Sequence, residues 1–309
     1  MTPSPRVLVV GEALVDVVQR PDGRTERHPG GSPANVALGL ARLAHPVRFA
    51  TRIGADDEGR LVRERLERDG VVLADGSLVA APTSTASAVL DATGAASYVF
   101  DLVWDLPPLD LADAGHLHTG SIAAHLAPGA ARVHELFAAA GPARTTSYDP
   151  NLRPRVIGRA QDERAVVERL VAGSDVVKVS DEDLAWLYPG EPAAQVCRRW
   201  AQQGPGLVVL TQGSAGAAAW LAGDPAAISV PARPVQVLDT VGAGDAFMAG
   251  LLSGLLDLAL VGGPAQRGAL HAASAPALMP ALRRAVLASS LTCGRAGADP
   301  PTRAELLTA

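Results

Sequence analysis

Short apolar runs alternate along this chain with segments whose apolar positions recur every three or four residues. Val7–Val10 opens the pattern as a strand-like run and passes into Gly11-Glu12-Ala13-Leu14-Val15-Asp16-Val17-Val18. A polar hairpin is expected near Arg20–Arg24. After His28-Pro29-Gly30-Gly31, Ser32 reads as an N-cap and Pro33 as the first helical residue. Val36, Leu40 and Leu43 follow at helical spacing, which predicts an amphipathic helix to about Leu43. A strand near Val47–Ile53 and a charged helix from about Arg60 to Asp69 come next. Between Ser84 and Asp101 the pattern is β, with a turn at Thr93-Gly94. Beyond it, strand-like runs at His116–Ser121, Thr145–Asp149, Val176–Ser180 and Leu207–Thr211 alternate with helical ones at Val133–Ala140, Glu163–Val171 and Ala193–Gln203. Such alternation predicts an α/β fold, a mostly parallel sheet with helices on both faces. The β-rich stretches at about 12–30 and 84–104 read as an insertion protruding from that sheet, and no linker or internal repeat divides residues 1–309.

Composition narrows the function classes. The 309 residues are 48% hydrophobic and 19% charged, ordinary for an enzyme with a sizeable core. A net charge of −5 gives no reason to expect nucleic acid or an anionic membrane as partner. The run Ala246–Gly263 approaches the length of a membrane span, but Asp257 interrupts it and a core helix is the better reading. Cys197 and Cys293 form no metal or redox motif, and the first residues carry no signal-peptide pattern, so a cytoplasmic setting is expected. Lys178 is the only lysine, and Asn35 and Asn151 are the only asparagines.

The densest chemistry lies in Asp239-Thr240-Val241-Gly242-Ala243-Gly244-Asp245-Ala246-Phe247, a small-residue turn entering an apolar helix. A helix N-terminus carries unpaired N–H groups and partial positive charge, which suits an anion, and Gly242 and Gly244 would let the backbone approach one. A carboxylate beside an anion site is repulsive unless it accepts a proton from an attacking hydroxyl, so Asp245 points to phosphoryl transfer to an alcohol. The segment resembles the C-terminal signature of the ribokinase-like (PfkB) carbohydrate kinases, Asp-Thr-x-Gly-Ala-Gly-Asp-x-Phe. Gly30-Gly31-Ser32-Pro33-Ala34-Asn35 is similar to the other signature of that family.

The resemblance runs from Gly11 to Ala298 and implies a ribokinase-like three-layer α/β/α sandwich, a single kinase domain with a small β lid. It implies Asp245 as general base, with Gly242, Ala243 and Gly244 supplying the amides that hold the moving phosphate. Asp16, Gly30, Gly31 and Asn35 fall to the sugar. Asp149-Pro150-Asn151-Leu152-Arg153 resembles an Asp-x-Asn-x-Arg segment of fructokinase-like members, in which Arg153 can pair with the transferring phosphoryl group and Asp149 and Asn151 stand near metal-bound water or phosphate. Thr211, Gly213 and Gly216 resemble the Thr-x-Gly-x-x-Gly turn beside the nucleotide, and Ser289–Ala298 the segment closing over adenine. Lys178 and Ser180 occupy the place of an Asn-x-x-Glu element tied to phosphate and magnesium. There Ser180 and Asp183 stand where Asn and Glu are usual, leaving Asp183 as the magnesium candidate and a Ser180 helix cap as the structural alternative. Carbonyls around Asp239 and Val241 hold a monovalent cation such as potassium in many members.

The reading is therefore a magnesium- and ATP-dependent kinase of a neutral sugar. Gly11-Glu12-Ala13, Gly30–Asn35 and Asp149–Arg153 together most resemble fructokinases, and the expected lid strand, Ser97-Tyr98-Val99-Phe100-Asp101, offers no cation to a sugar acid, so fructose is favoured. A ketodeoxygluconate kinase, a ribokinase or nucleoside kinase, and a non-catalytic sensor on the same fold are the alternatives. Lids of this family often pair two subunits. No Walker A loop or dinucleotide fingerprint is present, and His116 and His118 read as packed residues rather than metal ligands.

Overall fold

Val7–Val10 are almost wholly inaccessible, as a strand must be when both faces of its sheet are covered, and this is why the run is apolar without alternation. The computed structural model describes residues 6–20, 22–90, 96–224 and 226–309. Arg6–Val10 pairs in parallel with Val47–Ala50 on one side and Ala114–Gly120 on the other. The sheet continues in parallel through Val72–Leu73 at one edge, and through Thr145–Asp149, Val176–Ser180 and Leu207–Thr211 towards the other. Ala217–Leu221 and Ile228–Val230 then close that side antiparallel, giving a nine-stranded sheet.

Alternate residues of the strands face two separate cores. Val7, Val9 and Val209 pack with Leu38, Leu252 and Leu282 from the helices Ser32–Arg42, Ala243–Asp257 and Ala275–Cys293. Leu8, Val10 and Val208 pack with Val133, Val167 and Trp200 from the helices Gly129–Ala140, Ala160–Ala172 and Ala193–Trp200. The result is the three-layer α/β/α sandwich expected from the alternation. Strand order reverses between Arg6–Val10 and Ala114–Gly120, and the crevice at such a switch is where ligands of open parallel sheets bind.

The second sheet has the order Thr25–Gly30, Leu14–Gln19, Thr85–Leu90, Ala96–Asp101. Its register puts His28, Asp16, Ala86 and Phe100 in one row and therefore on one face. Val15 and Val17, on the other face, are buried with Val62 and Leu66 of the helix Asp57–Arg68. Tyr98 and Phe100 stack with centroids 6.2 Å apart, and the Arg155 guanidinium lies 4.7 Å from the centre of the Tyr98 ring. The expected turn at Thr93-Gly94 lies outside the described residues.

Four local expectations are corrected. Gly31, not Ser32, is the N-cap of the helix Ser32–Arg42, because it takes a positive φ of 103° that places its Cα against the backbone of Glu12 and Ala13. The run Val47–Ile53 splits, since Ile53–Gly54 leaves the main sheet to pair with Leu78–Val79. The two antiparallel strands after Thr211 went unanticipated; Ala217–Leu221 is alanine-rich and weak in β propensity. Ser289–Cys293 is the last part of a long helix, so only Gly294–Ala298 forms the loop. The run Ala246–Gly263 does contain a buried core helix, and no helix among the described residues is long and apolar enough to cross a membrane.

The helices Ala243–Asp257 and Ala275–Cys293 touch at Gly254, where an added Cβ would lie 2.5 Å from the Ala281 Cα. Gly254→Val should therefore destabilise by about 2–3 kcal/mol through overpacking. Gly268→Ala, where nothing lies within 4 Å, should be neutral or stabilising by up to about 1 kcal/mol. Equal shifts of the two variants in chemical denaturation would contradict this packing.

Candidate active site

Gly242 adopts a left-handed conformation, φ 74°, where a Cβ would stand 2.5 Å from that of Ala298. The turn starts the helix Ala243–Asp257 and puts Asp245 in its first turn, buried to 6% exposure. A buried carboxylate needs hydrogen-bond donors. Ser32 Oγ donates to Asp245 Oδ1 at 2.7 Å, Asn35 Nδ2 to Oδ2 at 2.8 Å, and Asn151 Nδ2 to Oδ1 at 3.2 Å. Asn151 Nδ2 also donates to Ser32 Oγ at 2.7 Å, while its Oδ1 accepts from Arg153 at 2.6 Å. Arg153 thus fixes which way the Asn151 amide faces. Asn151 itself has φ 39°, a backbone state uncommon outside glycine.

Lys178 approaches the same turn from the strand Val176–Ser180. Its Nζ donates to Asp149 Oδ2 at 2.9 Å and lies 3.1 Å from where a Cβ on Gly244 would stand. Glycine at 244 therefore leaves a buried ammonium next to the helix N-terminus. Burial opposes the charge on Lys178, but Asp149, Asp183 and Asp245 outweigh it and hold the pKa above the usual lysine value. Burial pushes the Asp149 carboxyl up to about 6, with Lys178 pulling the other way. Asp149 Oδ1 is buried with no partner.

Asp183 has a different occupation from the one expected. It forms a capping box with Ser180 at the start of the helix Asp181–Leu187, and its Oδ1 accepts the Leu152 N–H at 2.8 Å. The capping alternative accounts for this element, and the open carboxylate oxygen nearby belongs to Asp149. Asp239 binds the N–H groups of Val241 at 3.0 Å and Gly297 at 2.8 Å, tying the turn to the loop Gly294–Ala298. Thr211 stands beside Ser180 in register, and Gly216, φ 97°, belongs to the hairpin entering Ala217–Leu221. Gly213, φ 50°, lies in the same turn.

Asp16 reaches solvent, yet partial burial raises its pKa, with His28 and Arg153 opposing. Gly30 abuts it: a Cβ there would lie 2.4 Å from Asp16 Oδ2. The structure thus joins Asn35 to Asp245 directly and Arg153 to it through Asn151, and it sets Lys178 against Gly244, Gly30 against Asp16 and Gly31 against Glu12. Ser32 appeared in the sequence only as a cap, and its hydroxyl is a partner of Asp245. Asn151 was singled out beside metal or phosphate, and its amide lies on Asp245; being one of two asparagines was its signal. Glu12 stood in the fructokinase-like Gly11-Glu12-Ala13 without a role of its own. It is buried, accepts the Ala123 N–H at 3.1 Å, and is pushed by burial up to about 7, against hydrogen bonds from the main chain and Ser121 and the charge of Arg153. His116 and His118 are packed against Thr145 and Ser147, and burial lowers them to about 4 and about 3.

The model of the pfkB family carbohydrate kinases matches residues 4–305. The chain is 38% identical over 262 residues to a fructokinase of Klebsiella pneumoniae, covering 81% of this chain and 84% of that one. It is 34% identical over 262 residues to a fructokinase of Rhizobium leguminosarum bv. trifolii, covering 81% and 79%. The crystal structure of an ATP-bound fructokinase from Xylella fastidiosa superposes with a TM-score of 0.85 at 27% identity, covering 99% and 98%. A double-mutant fructokinase from Vibrio cholerae O395, solved with fructose, ADP and a potassium ion, gives 0.79 at 29% identity, with the same coverage.

The folded-state pKa of Glu12 lies above its ordinary 4.5, so its contribution to stability is full below that value and is lost as pH rises through about 7. Relative to wild type, Glu12→Gln should gain stability between about pH 5 and about pH 8, by up to about 3 kcal/mol. Denaturation at both pH values measures this. A constant difference would contradict a buried, titrating Glu12.

Proposed function

Because the chain belongs to the pfkB family of carbohydrate kinases, we propose that this sugar kinase transfers the γ-phosphate of ATP to a hydroxyl of fructose, with Asp245 as general base. The observation that carries the reading is the junction at Asp245. The Gly30–Asn35 segment and the glycine turn meet on one buried carboxylate, through Ser32 and Asn35. The sugar hydroxyl takes the place of one of these donors, gives its proton to Asp245, and attacks phosphorus in line as the bond to the ADP oxygen breaks. The amides of Gly242, Gly244 and Asp245 face the transferring group, whereas the Ala243 N–H expected among them donates to the Thr240 carbonyl at 3.2 Å; the Lys178 ammonium reinforces the set without reorganising. Arg153 is exposed, and it pairs with the phosphoryl oxygens on giving up its bond to Asn151 Oδ1. Thr211, Gly213 and Gly216 border the nucleotide phosphates.

The small sheet acts as a lid of the single kinase domain. Asp16 lies on its face with Phe100 and receives sugar hydroxyls, and closing the lid excludes water that would hydrolyse ATP. Val99 on the opposite face is 61% exposed and suits pairing of two copies.

Asp149 Oδ1, buried and unpartnered, fits a magnesium ion held through water, whereas both Asp183 oxygens already accept main-chain N–H groups. Magnesium would neutralise charge on the phosphates. Asp239 is kept ionised by its amide partners, and the two backbone segments it ties together offer the carbonyl oxygens a potassium ion requires.

A sugar acid is the second reading, and one observation favours it. The lid strand has no cation, but Arg155 reaches its aromatic face from the helix Pro154–Ile157. ATP turnover with magnesium is the test, against fructose, ribose, ketodeoxygluconate and adenosine, with and without potassium. Turnover on fructose at least about 100-fold above the others by kcat/KM is expected. Preference for ketodeoxygluconate would transfer the role of substrate anchor to Arg155 and overturn the fructose assignment.

A further inference from the structure

Glu12 lies two residues beyond the end of the first strand, next to the point where the sheet order reverses. Its carbonyl oxygen would sit 2.5 Å from a Cβ on Gly31. Its carboxylate accepts the N–H of Ala123 in the turn Ser121–Ala124, and the carbonyl of Ala123 accepts from Trp104 at 3.0 Å. That turn is strained: Ser121 is buried with φ 55°, a left-handed state that serine rarely adopts. The Ser121 N–H in turn donates to the Pro150 carbonyl at 3.2 Å. Pro150 precedes Asn151, the second non-glycine residue of the site with positive φ and the one whose amide reaches Asp245. At the adjoining register pair, Gly120 leaves no room for a side chain against the Asp149 carbonyl, 2.2 Å from a Cβ position.

We propose that Glu12 is a positioning residue for the phosphoryl transfer: it anchors the Ser121–Ala124 turn, which through Pro150 sets Asn151 against Asp245. The Glu12 carboxylate holds the turn through the Ala123 N–H and through Ser121, with the charge of Arg153 nearby. Nothing in this chain of contacts requires Glu12 to touch the sugar or ATP. The inference rests on the kinase reading above. A side chain that only supported the fold would change stability and the fraction of active protein, leaving the turnover of each active molecule intact.

The test is a double-mutant cycle on kcat. Glu12→Ala should lower kcat about 30-fold while KM for ATP stays within about twofold, since the nucleotide turn is untouched. Glu12→Gln, which keeps an acceptor for the Ala123 N–H, should recover kcat to within about threefold of wild type. Asn151→Ala with Glu12→Ala should be no slower than Asn151→Ala alone, within about twofold, because both act through one contact. If Glu12→Ala does not fold, Glu12→Asp, one methylene too short to hold the turn, takes its place in the cycle. Losses that multiply, or a Gln variant as slow as the Ala variant, would overturn the proposal. Absence of turnover in the wild-type protein would instead sink the kinase reading on which it stands.

Discussion

A carboxylate at 6% exposure has to be satisfied by donors, and the donors of Asp245 come from far away in the chain: Ser32 and Asn35 from 213 and 210 residues upstream, Asn151 from 94. The fold near the site is arranged so that these groups can meet. The helices Ser32–Arg42 and Ala243–Asp257 come close because Gly39 faces Ala249, where a Cβ would lie 2.7 Å from the alanine methyl. A larger residue at either position would separate the helices and draw the Ser32 hydroxyl and the Asn35 amide away from Asp245. Stability and chemistry are thus coupled at one contact: close packing of small residues delivers polar groups to a buried charge.

The second constraint is the buried pair Lys178–Asp149. Removing one member of such a pair costs about 3–5 kcal/mol, because the other charge is left buried without its partner. That cost is offset by what the pair supplies, a fixed ammonium under Gly244 that is already desolvated before an anion arrives. Preorganised charge of this kind needs no solvent rearrangement when phosphate charge moves.

Much of the fold was legible in the sequence because strand-like runs alternate with helical ones, and some buried parallel strands, such as Leu207–Thr211, are almost wholly apolar. Thr145–Asp149, Val176–Ser180 and Leu207–Thr211 were read with their observed ends. The antiparallel strands beyond Thr211 were not, since Ala217-Ala218-Ala219 carries no β signal and pairs only because the hairpin at Gly216 folds it back. In the site, Asp245, the glycines and Asn35 stood out by motif. Of the partners that orient them, Asn151 and Arg153 also stood out by motif, but Ser32 looked like a cap until the positive φ of Gly31 moved the helix start by one residue. Glu12 and the kinked turns at Ser121 and Asn151 depend on contacts between strand ends, which no local pattern encodes.

The central claim, that Asp245 accepts the proton of the attacking hydroxyl, is tested most directly by Asp245→Asn with fructose, ATP and magnesium. The account predicts a kcat lower by about 1,000-fold or more, with fructose and ATP still bound in calorimetry, because asparagine keeps the size of the side chain and loses its basicity. Turnover within about tenfold of wild type would contradict it and remove Asp245 from the proton transfer.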